Sequence, residues 1–326
     1  MMKKWVDYMQ SAGEEEFLYL DGNHYGDWVA MDAGPDQYLG ATQTDFIATA
    51  YFAYSTELVI KAGKALGEDV SEYEELYKNV ICNFRRAFMK DGMPVVYPKA
   101  DGKHAFTPHT DKFSTKRIVK GETQTAIALI LRFGLCEENE REALVERLAE
   151  LIAENDGRMT TGFVGTPHIL HALSENGRTD VAYSLLLQEK SPSWLFSVNK
   201  GATTVWEHWD GLREDKTFWS TDMNSFNHYA YGAVYDWMFG VMVGIEVSEE
   251  GVGYKKITFA PHPNKEIGFA RASIETKYGK IKAGWSYTLE GRVRYELKLP
   301  EGVEATVKLC GYPEKTLTGG NFTFIL

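Results

Sequence analysis

The segment WEHWD, residues 206–210, places one carboxylate between two indole rings. An indole supplies a flat apolar surface with one polar atom, which suits the C–H face of a sugar ring. A carboxylate beside that surface can accept a proton from an attacking water molecule. Hydrolysis of a glycosidic bond uses two carboxyl groups, one as an acid and the other as a base or nucleophile. The segment therefore predicts one of these groups at Glu207.

The same segment also has a purely structural interpretation. Trp side chains are highly buried on average, so Trp206 and Trp209 would belong to the core, and Glu207 would cap a helix or pair with Arg213. Spacing alone slightly favours this interpretation, and both are kept open at this point.

Composition and charge exclude several classes of protein. The chain has 326 residues, of which 44% are hydrophobic, so it is long and apolar enough to bury a large core. Its net charge of −11 argues against a nucleic-acid partner, because such proteins present a basic face. Three widely spaced cysteines without a CxxC pair predict a reducing compartment, no disulfide framework and no metal site. We expect no cofactor.

The N-terminal sequence MMKKWVDYMQ lacks the apolar run of a signal peptide. The most apolar helical stretch, near residues 229–245, carries Asp236 and several Tyr and Gly residues, so it predicts a buried helix and not a membrane span. We therefore expect no membrane association and a cytoplasmic location.

Hydrophobic periodicity predicts helices in pairs joined by short turns, as in a toroid of helices. The predicted helices span residues 46–66, 71–89, 122–133, 138–154, 167–175, 179–188 and 227–245. Thr42 and Asp45 resemble a capping box before the first of these, and Gly67 is expected to end it. The residues with chemical potential lie in the connections, which meet at one end of such a toroid.

The period changes near residue 247, where short alternating segments separated by glycines predict β-strands. We therefore predict a mainly α chain with a β appendage. The helical domain would span residues 1–246, and a small β-sandwich would span residues 247–326.

Several longer motifs resemble one known family. They are GDW (26–28), TDFIATAYFAYS (44–55), GFVGTP (162–167), PSWL (192–195), GATTVWEHWDG (201–211) and NSFNHYAYGAVYDW (224–237). Together they resemble the catalytic region of the bacterial α-L-rhamnosidases, glycoside hydrolase family 78. The later segments GYKKITFAP (253–261) and ARASIETKYGKI (270–281) resemble the C-terminal β-domain of that family.

The resemblance implies an (α/α)6 barrel, an α-L-rhamnoside as the small-molecule substrate, and hydrolysis with inversion at the anomeric carbon. It implies that Glu207 is the general base, that His228 contacts the bound sugar, and that Trp28 lines the sugar subsite. Asp27, Trp206 and Trp209 are adjacent to these residues and are included as candidate substrate-binding residues.

One part of the family pattern is absent. The general acid of the family is a glutamate in an Asp-rich motif upstream of GDW, and no such motif precedes Gly26 here. We also count about seven or eight helices, fewer than six helix pairs require. We therefore expect the C-terminal part of the barrel, nearly inactive by itself on natural rhamnosides, with an exposed apolar wall on residues 46–88 that permits self-association.

Two other functions remain open from the sequence. The chain could be a helical-toroid glycosidase with another sugar specificity, or a non-catalytic module that retains part of a sugar-binding site.

Overall fold

The computed structural model describes residues 1–13, 16–20, 24–34, 37–98 and 117–326. The chain divides into two compact units, Met1–Gly232 and Ala233–Leu326. The first unit is helical, and the second contains most of the strands. Mainly α with a β appendage is therefore the observed class, as predicted. The predicted domain limits, 1–246 and 247–326, remain a prediction.

The helical unit contains eight described α-helices joined mostly by short connections. They are α1 (Met2–Ala12), α2 (Thr44–Leu66), α3 (Ser71–Phe88), α4 (Gln124–Arg132), α5 (Arg141–Glu154), α6 (Thr166–Glu175), α7 (Thr179–Leu186) and α8 (Trp194–Asn199). A 3-10 turn, Glu138–Glu140, leads into α5, and strands β1 (Met89–Lys90) and β2 (Met93–Pro94) form a small hairpin after α3.

The helix ends show where the local signals succeed. Gly67 ends α2 in the left-handed conformation, with φ 72°, as a C-terminal glycine allows. The predicted capping box before α2 is wrong, because Gln43 is the N-cap and no side chain caps this helix. The Thr42 hydroxyl instead lies 2.6 Å from that of Thr123, which caps α4 by accepting a hydrogen bond from the Ala126 N–H.

The core of the helical unit is centred on α4. Eight of its nine residues are buried, and a helix that is apolar on all sides belongs in an interior. Between α2 and α3, the ring of Phe46 packs edge-on against Phe84 and Phe88, with centroids 5.0 and 5.6 Å apart. These Phe side chains are buried, so the apolar wall expected on residues 46–88 is narrower than predicted. Exposed apolar side chains on these first helices include Met2, Trp5 and Tyr8 of α1, and Leu58 and Leu66 of α2.

The second unit begins with a short helix, α9 (Val234–Trp237), which continues as a π-helical turn, Met238–Met242. Six strands follow: β3 (Ile245–Val247), β4 (Lys256–Phe259), β5 (Phe269–Thr276), β6 (Gly279–Tyr287), β7 (Val293–Val307) and β8 (Lys315–Ile325). They form one sheet in the order β3-β4-β7-β6-β5, and β8 pairs with β7.

The long strand β7 organises this sheet. Its first half pairs antiparallel with β6, its second half pairs parallel with β4, and β8 follows both halves. The register shifts between Leu299 and Glu304, where an irregularity allows a sheet to bend. The predicted sandwich is therefore built as one curled sheet. Its buried face includes Trp285, whose Nε1 donates a hydrogen bond of 2.7 Å to the carbonyl of Met242.

Among the described residues, no helix combines the length and the apolar character needed to cross a bilayer.

Candidate active site

Asp27 anchors two of the loops that carry candidate residues. Its side chain is fully buried, and its oxygens accept hydrogen bonds from the N–H groups of Gly162, Val164 and Gly165 at 2.8–3.0 Å. The hydroxyl of Thr125 on α4 also donates to it. Burial raises the pKa of this carboxyl, and the four donors act in the opposite direction. The carboxylate thus holds the turn at residues 162–165 against the segment that carries Trp28.

The GFVGTP motif has a steric explanation at this contact. A Cβ atom on Gly162 would lie 2.1 Å from the carbonyl oxygen of Trp28, so no other residue permits this approach. The backbone N–H of Phe163 donates to that same oxygen at 2.9 Å. The phenyl ring of Phe163 is therefore fixed next to the Trp28 segment.

Backbone pairing of two remote segments brings Glu207 and His228 together. The Glu207 N–H donates to the carbonyl of Ser225 at 2.9 Å, and the His228 N–H donates to that of Val205 at 2.8 Å. The Ser225 N–H in turn donates to Oε2 of Glu207 at 3.2 Å. Oε1 of Glu207 lies 3.9 Å from Nε2 of His228. The side chain of Glu207 is 18% exposed, so it is enclosed and still accessible.

The hydrogen bonds of His228 indicate which of its nitrogens faces a ligand. Its Nδ1 accepts from the N–H of Ala230 at 3.3 Å, which assigns the proton of the neutral ring to Nε2. The ring stacks on Phe163 with centroids 4.8 Å apart and planes at 20°. Nε2–H is therefore a donor held beside the carboxylate of Glu207.

Aromatic side chains connect Trp28 to the WEHWD segment. Trp28 stacks on Tyr38 at 5.2 Å, Tyr38 meets the edge of Trp219 at 4.9 Å, and Trp219 stacks on His208 at 3.9 Å. Trp28 is partly exposed, as a sugar platform requires, whereas His208 is buried. This array of rings connects a partly exposed indole to His208, the residue that follows Glu207 in the chain.

Trp206 and Trp209 lie beneath the surface. They are 7% and 4% exposed, respectively. Trp209 donates through Nε1 to the carbonyl of Thr161 at 3.0 Å and stacks on Tyr231 at 3.7 Å. Burial raises the pKa of Tyr231 well above its usual range, so this hydroxyl stays protonated. Both indoles are therefore core residues, as the purely structural interpretation of the segment expected. Glu207, which lies between them in the sequence, remains accessible.

Asp210 is the second acid of the segment. Its Oδ1 lies 2.5 Å from Nδ1 of His208, and its Oδ2 lies 3.6 Å from Nε of Arg213. Asp210 thus lies between His208 and Arg213, whereas Glu207 lies beside Ser225 and His228. Within the described part of the chain, no group of three or more His, Cys, Asp and Glu side chains could hold a metal ion.

Sequence reasoning missed four residues of this cluster: Tyr38, Phe163, Trp219 and Ser225. Phe163 lies in the GFVGTP motif, but the sequence does not indicate which residue its ring contacts. Ser225 contacts Glu207 through its backbone N–H and carbonyl groups, and residue type does not predict the partners of backbone groups. Tyr38 and Trp219 lie in connections without periodicity, and the high aromatic content, 13%, was the one signal pointing to them.

Comparison with known proteins supplies the family context. Residues 1–242 match the model of the bacterial α-L-rhamnosidase six-hairpin glycosidase domain, and residues 244–322 match that of the bacterial α-L-rhamnosidase C-terminal domain. An α-L-rhamnosidase of Streptomyces avermitilis is 36% identical over 89% of this chain and 25% of its own length. One of Formosa agariphila is 34% identical over 99% of this chain and 32% of its own length.

Solved structures agree with these matches. The structure of the Streptomyces avermitilis α-L-rhamnosidase complexed with L-rhamnose superposes with a TM-score of 0.83 at 31% identity, covering 100% of this chain and 30% of that one. The native α-L-rhamnosidase of Aspergillus terreus gives 0.79 at 28% identity, over 93% of this chain and 33% of the other. The chain thus spans about a quarter to a third of the length of the relatives it matches.

Proposed function

This chain belongs to the bacterial α-L-rhamnosidase family of six-hairpin glycosidases, and from that membership we propose that its helical unit supplies the general base and one wall of the sugar subsite for inverting hydrolysis of α-L-rhamnosides. The observation that carries the proposal is the position of Glu207. It is an accessible carboxylate, oriented by the Ser225 N–H and placed beside the Nε2 donor of His228.

Glu207 has the properties that a general base needs. One oxygen is held by a backbone donor, so the carboxylate has a defined orientation, and the other faces His228. In inverting hydrolysis the base binds the water molecule on the face of the sugar opposite the leaving group and removes its proton as the C1–O bond forms. We assign that step to Glu207.

The remaining site residues divide by exposure. We propose that Trp28 contacts the apolar face of the sugar and that Nε2–H of His228 donates to one of its hydroxyl groups. Asp27, Trp206 and Trp209 are buried, so we propose that they position these groups from below. These three residues, which the sequence suggested as substrate-binding, would therefore support the site without contacting the sugar.

The proposal assigns a base to this chain and no acid. Inverting enzymes place the two carboxyl groups about 6.5–9.5 Å apart, and the acid protonates the departing oxygen. Leaving groups that are stable as anions do not need that proton. We therefore expect the chain to act on activated aryl rhamnosides far better than on alkyl or sugar rhamnosides, where a positioned proton donor contributes about 10²–10⁴-fold.

Two measurements test the function. L-Rhamnose is titrated into the chain while Trp fluorescence is followed, with L-fucose as the matched deoxysugar control. Release of 2,4-dinitrophenol from the aryl α-L-rhamnoside is then compared with hydrolysis of methyl α-L-rhamnoside, and NMR identifies the anomer first formed. Rhamnose binding with inverted product from the aryl substrate supports the proposal. Absence of any fluorescence response contradicts it, and binding without hydrolysis supports a sugar-binding module instead.

We propose a cytoplasmic location because the three cysteines are free and unpaired with each other.

We also propose weak self-association through the apolar side chains of α1 and α2, which line a groove with Met1 and Ser55. Sedimentation at increasing protein concentration measures it, and a Trp5→Ser variant is expected to reduce it. A protein that remains monomeric at all concentrations would contradict the proposed self-association.

A further inference from the structure

A second candidate site lies within the β-rich unit. Strands β5, β6, β7 and β8 enclose an open groove of about 850 Å³ on the face opposite the buried core. Its lining includes Arg271, Ser273, Lys282, Glu296, Lys298 and Asn321. We call it the lysine groove.

Strand register places two lysines of this groove side by side. Lys282 of β6 is directly opposite Lys298 of β7, Ser273 of β5 is opposite Lys282, and Asn321 of β8 is opposite Lys298. Directly opposite side chains have Cβ atoms about 4.5–5.5 Å apart, and like charges in such positions destabilise a sheet. The two lysines thus place two positive charges side by side on the central strands β6 and β7, and their repulsion lowers the stability of the sheet.

The acids on this face do not neutralise that charge. Glu275 pairs with Lys280 at 2.7 Å, and Glu296 pairs with Arg294 at 3.0 Å. No acidic side chain of the described chain lies within ion-pair distance of Lys282, Lys298 or Arg271. Three cations of the groove are therefore available to an external anion.

The second unit is also less acidic than the chain as a whole. The second unit, Ala233–Leu326, contains twelve Lys and Arg residues and eleven Asp and Glu residues, although the whole chain has a net charge of −11. The acidic excess therefore belongs to the helical unit.

The Arg271 side chain covers the backbone of the neighbouring row. Gly284 lies in the next row, opposite Arg271 on one side and Glu296 on the other. A Cβ atom there would lie 2.6 Å from the carbonyl oxygen of Ala270 and 2.8 Å from Cγ of Arg271, so Arg271 lies across bare backbone. The four strands span about 14 Å, three inter-strand spacings, which accommodates a short oligosaccharide. Ser273, Asn321 and Thr323 offer hydroxyl and amide groups for sugar hydroxyls.

We propose that the lysine groove binds an anionic glycan, with a carboxylate or sulfate group between Lys282 and Lys298. The choice of a glycan over other anions rests on the proposed function, because a rhamnoside-cleaving chain meets its substrate as part of larger saccharides. The charge and geometry of the groove do not depend on Glu207.

The test compares two pairs of substitutions in the full chain. Lys282→Gln with Lys298→Gln removes the opposed charges, and Lys265→Gln with Lys315→Gln makes the same charge change at exposed residues outside the groove. Calorimetric titrations use trigalacturonate, a sulfated galactan hexasaccharide and neutral maltohexaose, at low ionic strength and at about 0.5 M salt. Thermal unfolding of each variant reports the fold, and the groove variant is expected to be at least as stable as the parent because repulsion is removed.

We expect at least one anionic glycan to bind, about tenfold more weakly in the groove variant than in the control variant, and more weakly in high salt. Binding of trigalacturonate alone identifies a carboxylate ligand, binding of the galactan alone a sulfate, and either supports the proposal. It is overturned if neither binds, if maltohexaose binds equally well, if the control variant loses as much affinity, or if double-stranded DNA binds as tightly. A Glu207→Gln chain that keeps this binding separates the groove from the hydrolytic site.

Discussion

Nε2 of His228 lies 3.9 Å from Oε1 of Glu207, and both residues are held there by backbone hydrogen bonds between their own segments. The pairing of Glu207 with Ser225 and of Val205 with His228 resembles a short antiparallel ladder. A base and a sugar-hydroxyl donor thus share one local frame, so a change in either side chain can be made without moving the other.

Glu207→Gln is expected to abolish proton removal and to preserve the local structure. The amide oxygen still accepts from the Ser225 N–H, but an amide cannot take a proton from water. Release of dinitrophenol from the aryl rhamnoside should fall about 10²–10⁴-fold, while rhamnose affinity measured by Trp fluorescence changes little. Glu214→Gln, at an exposed glutamate paired with Lys200, is the matched control. Turnover at the parent rate would refute the assignment.

His228→Ala is expected to weaken sugar binding more than the chemical step. Loss of one neutral hydrogen bond costs about 0.5–1.5 kcal/mol, so KM should rise about two- to tenfold with kcat nearly unchanged. His228→Gln restores a donor near the same position and should recover part of the affinity. A large fall in kcat at constant KM would instead mean that the imidazole takes part in proton transfer.

Asp27→Asn is expected to destabilise the helical unit. Its carboxylate faces four donors, and an amide presents a donor of its own to some of them, which leaves buried groups unpaired at about 1–3 kcal/mol each. Thermal unfolding should shift down by several degrees, about 2–4 °C per kcal/mol for a chain of this size. Unchanged stability with lost rhamnose affinity would instead indicate that Asp27 contacts the sugar directly.

Asp32 is predicted to make folding dependent on pH. Burial raises its pKa to about 6, although the Ala41 N–H and Lys120 act in the opposite direction and Asp27 in the same one. An acid with a raised pKa in the folded state is stabilising when protonated, so its contribution is lost as the pH rises from about 4 to about 6. The shift corresponds to about 3 kcal/mol.

Asp32→Asn should remove this dependence, because the amide oxygen can still accept from Ala41 N–H. At pH 7.5 the variant should unfold at a higher temperature than the parent. At pH 4 this difference in unfolding temperature should be smaller. The difference between the two proteins is the quantity to compare, since His24, whose pKa burial lowers to about 4, contributes a slope of the opposite sign. An equal difference at both pH values would contradict the prediction.

Local signals predicted the helices more accurately than their packing. The glycine stop at Gly67 is confirmed, because it depends on the backbone torsion angles at the end of a single helix. The capping box at Thr42 failed because a hydroxyl from another helix competes for that side chain. In the sheet, alternation predicted that strands follow residue 247, but the parallel pairing of β4 with β7 depends on partners that are distant in sequence.

For the site, the sequence alone determined the chemistry that is available: a glutamate between two indoles, a histidine in a later loop, and motifs that identify the family. Only the tertiary structure decided that the two indoles are buried while the glutamate between them stays accessible. It also decided that the glycines of 162–165 enclose Asp27 and that Phe163 supports His228. The reason is physical: residue type sets which groups can react, whereas distances between remote segments arise from backbone hydrogen bonds and packing that no local pattern contains.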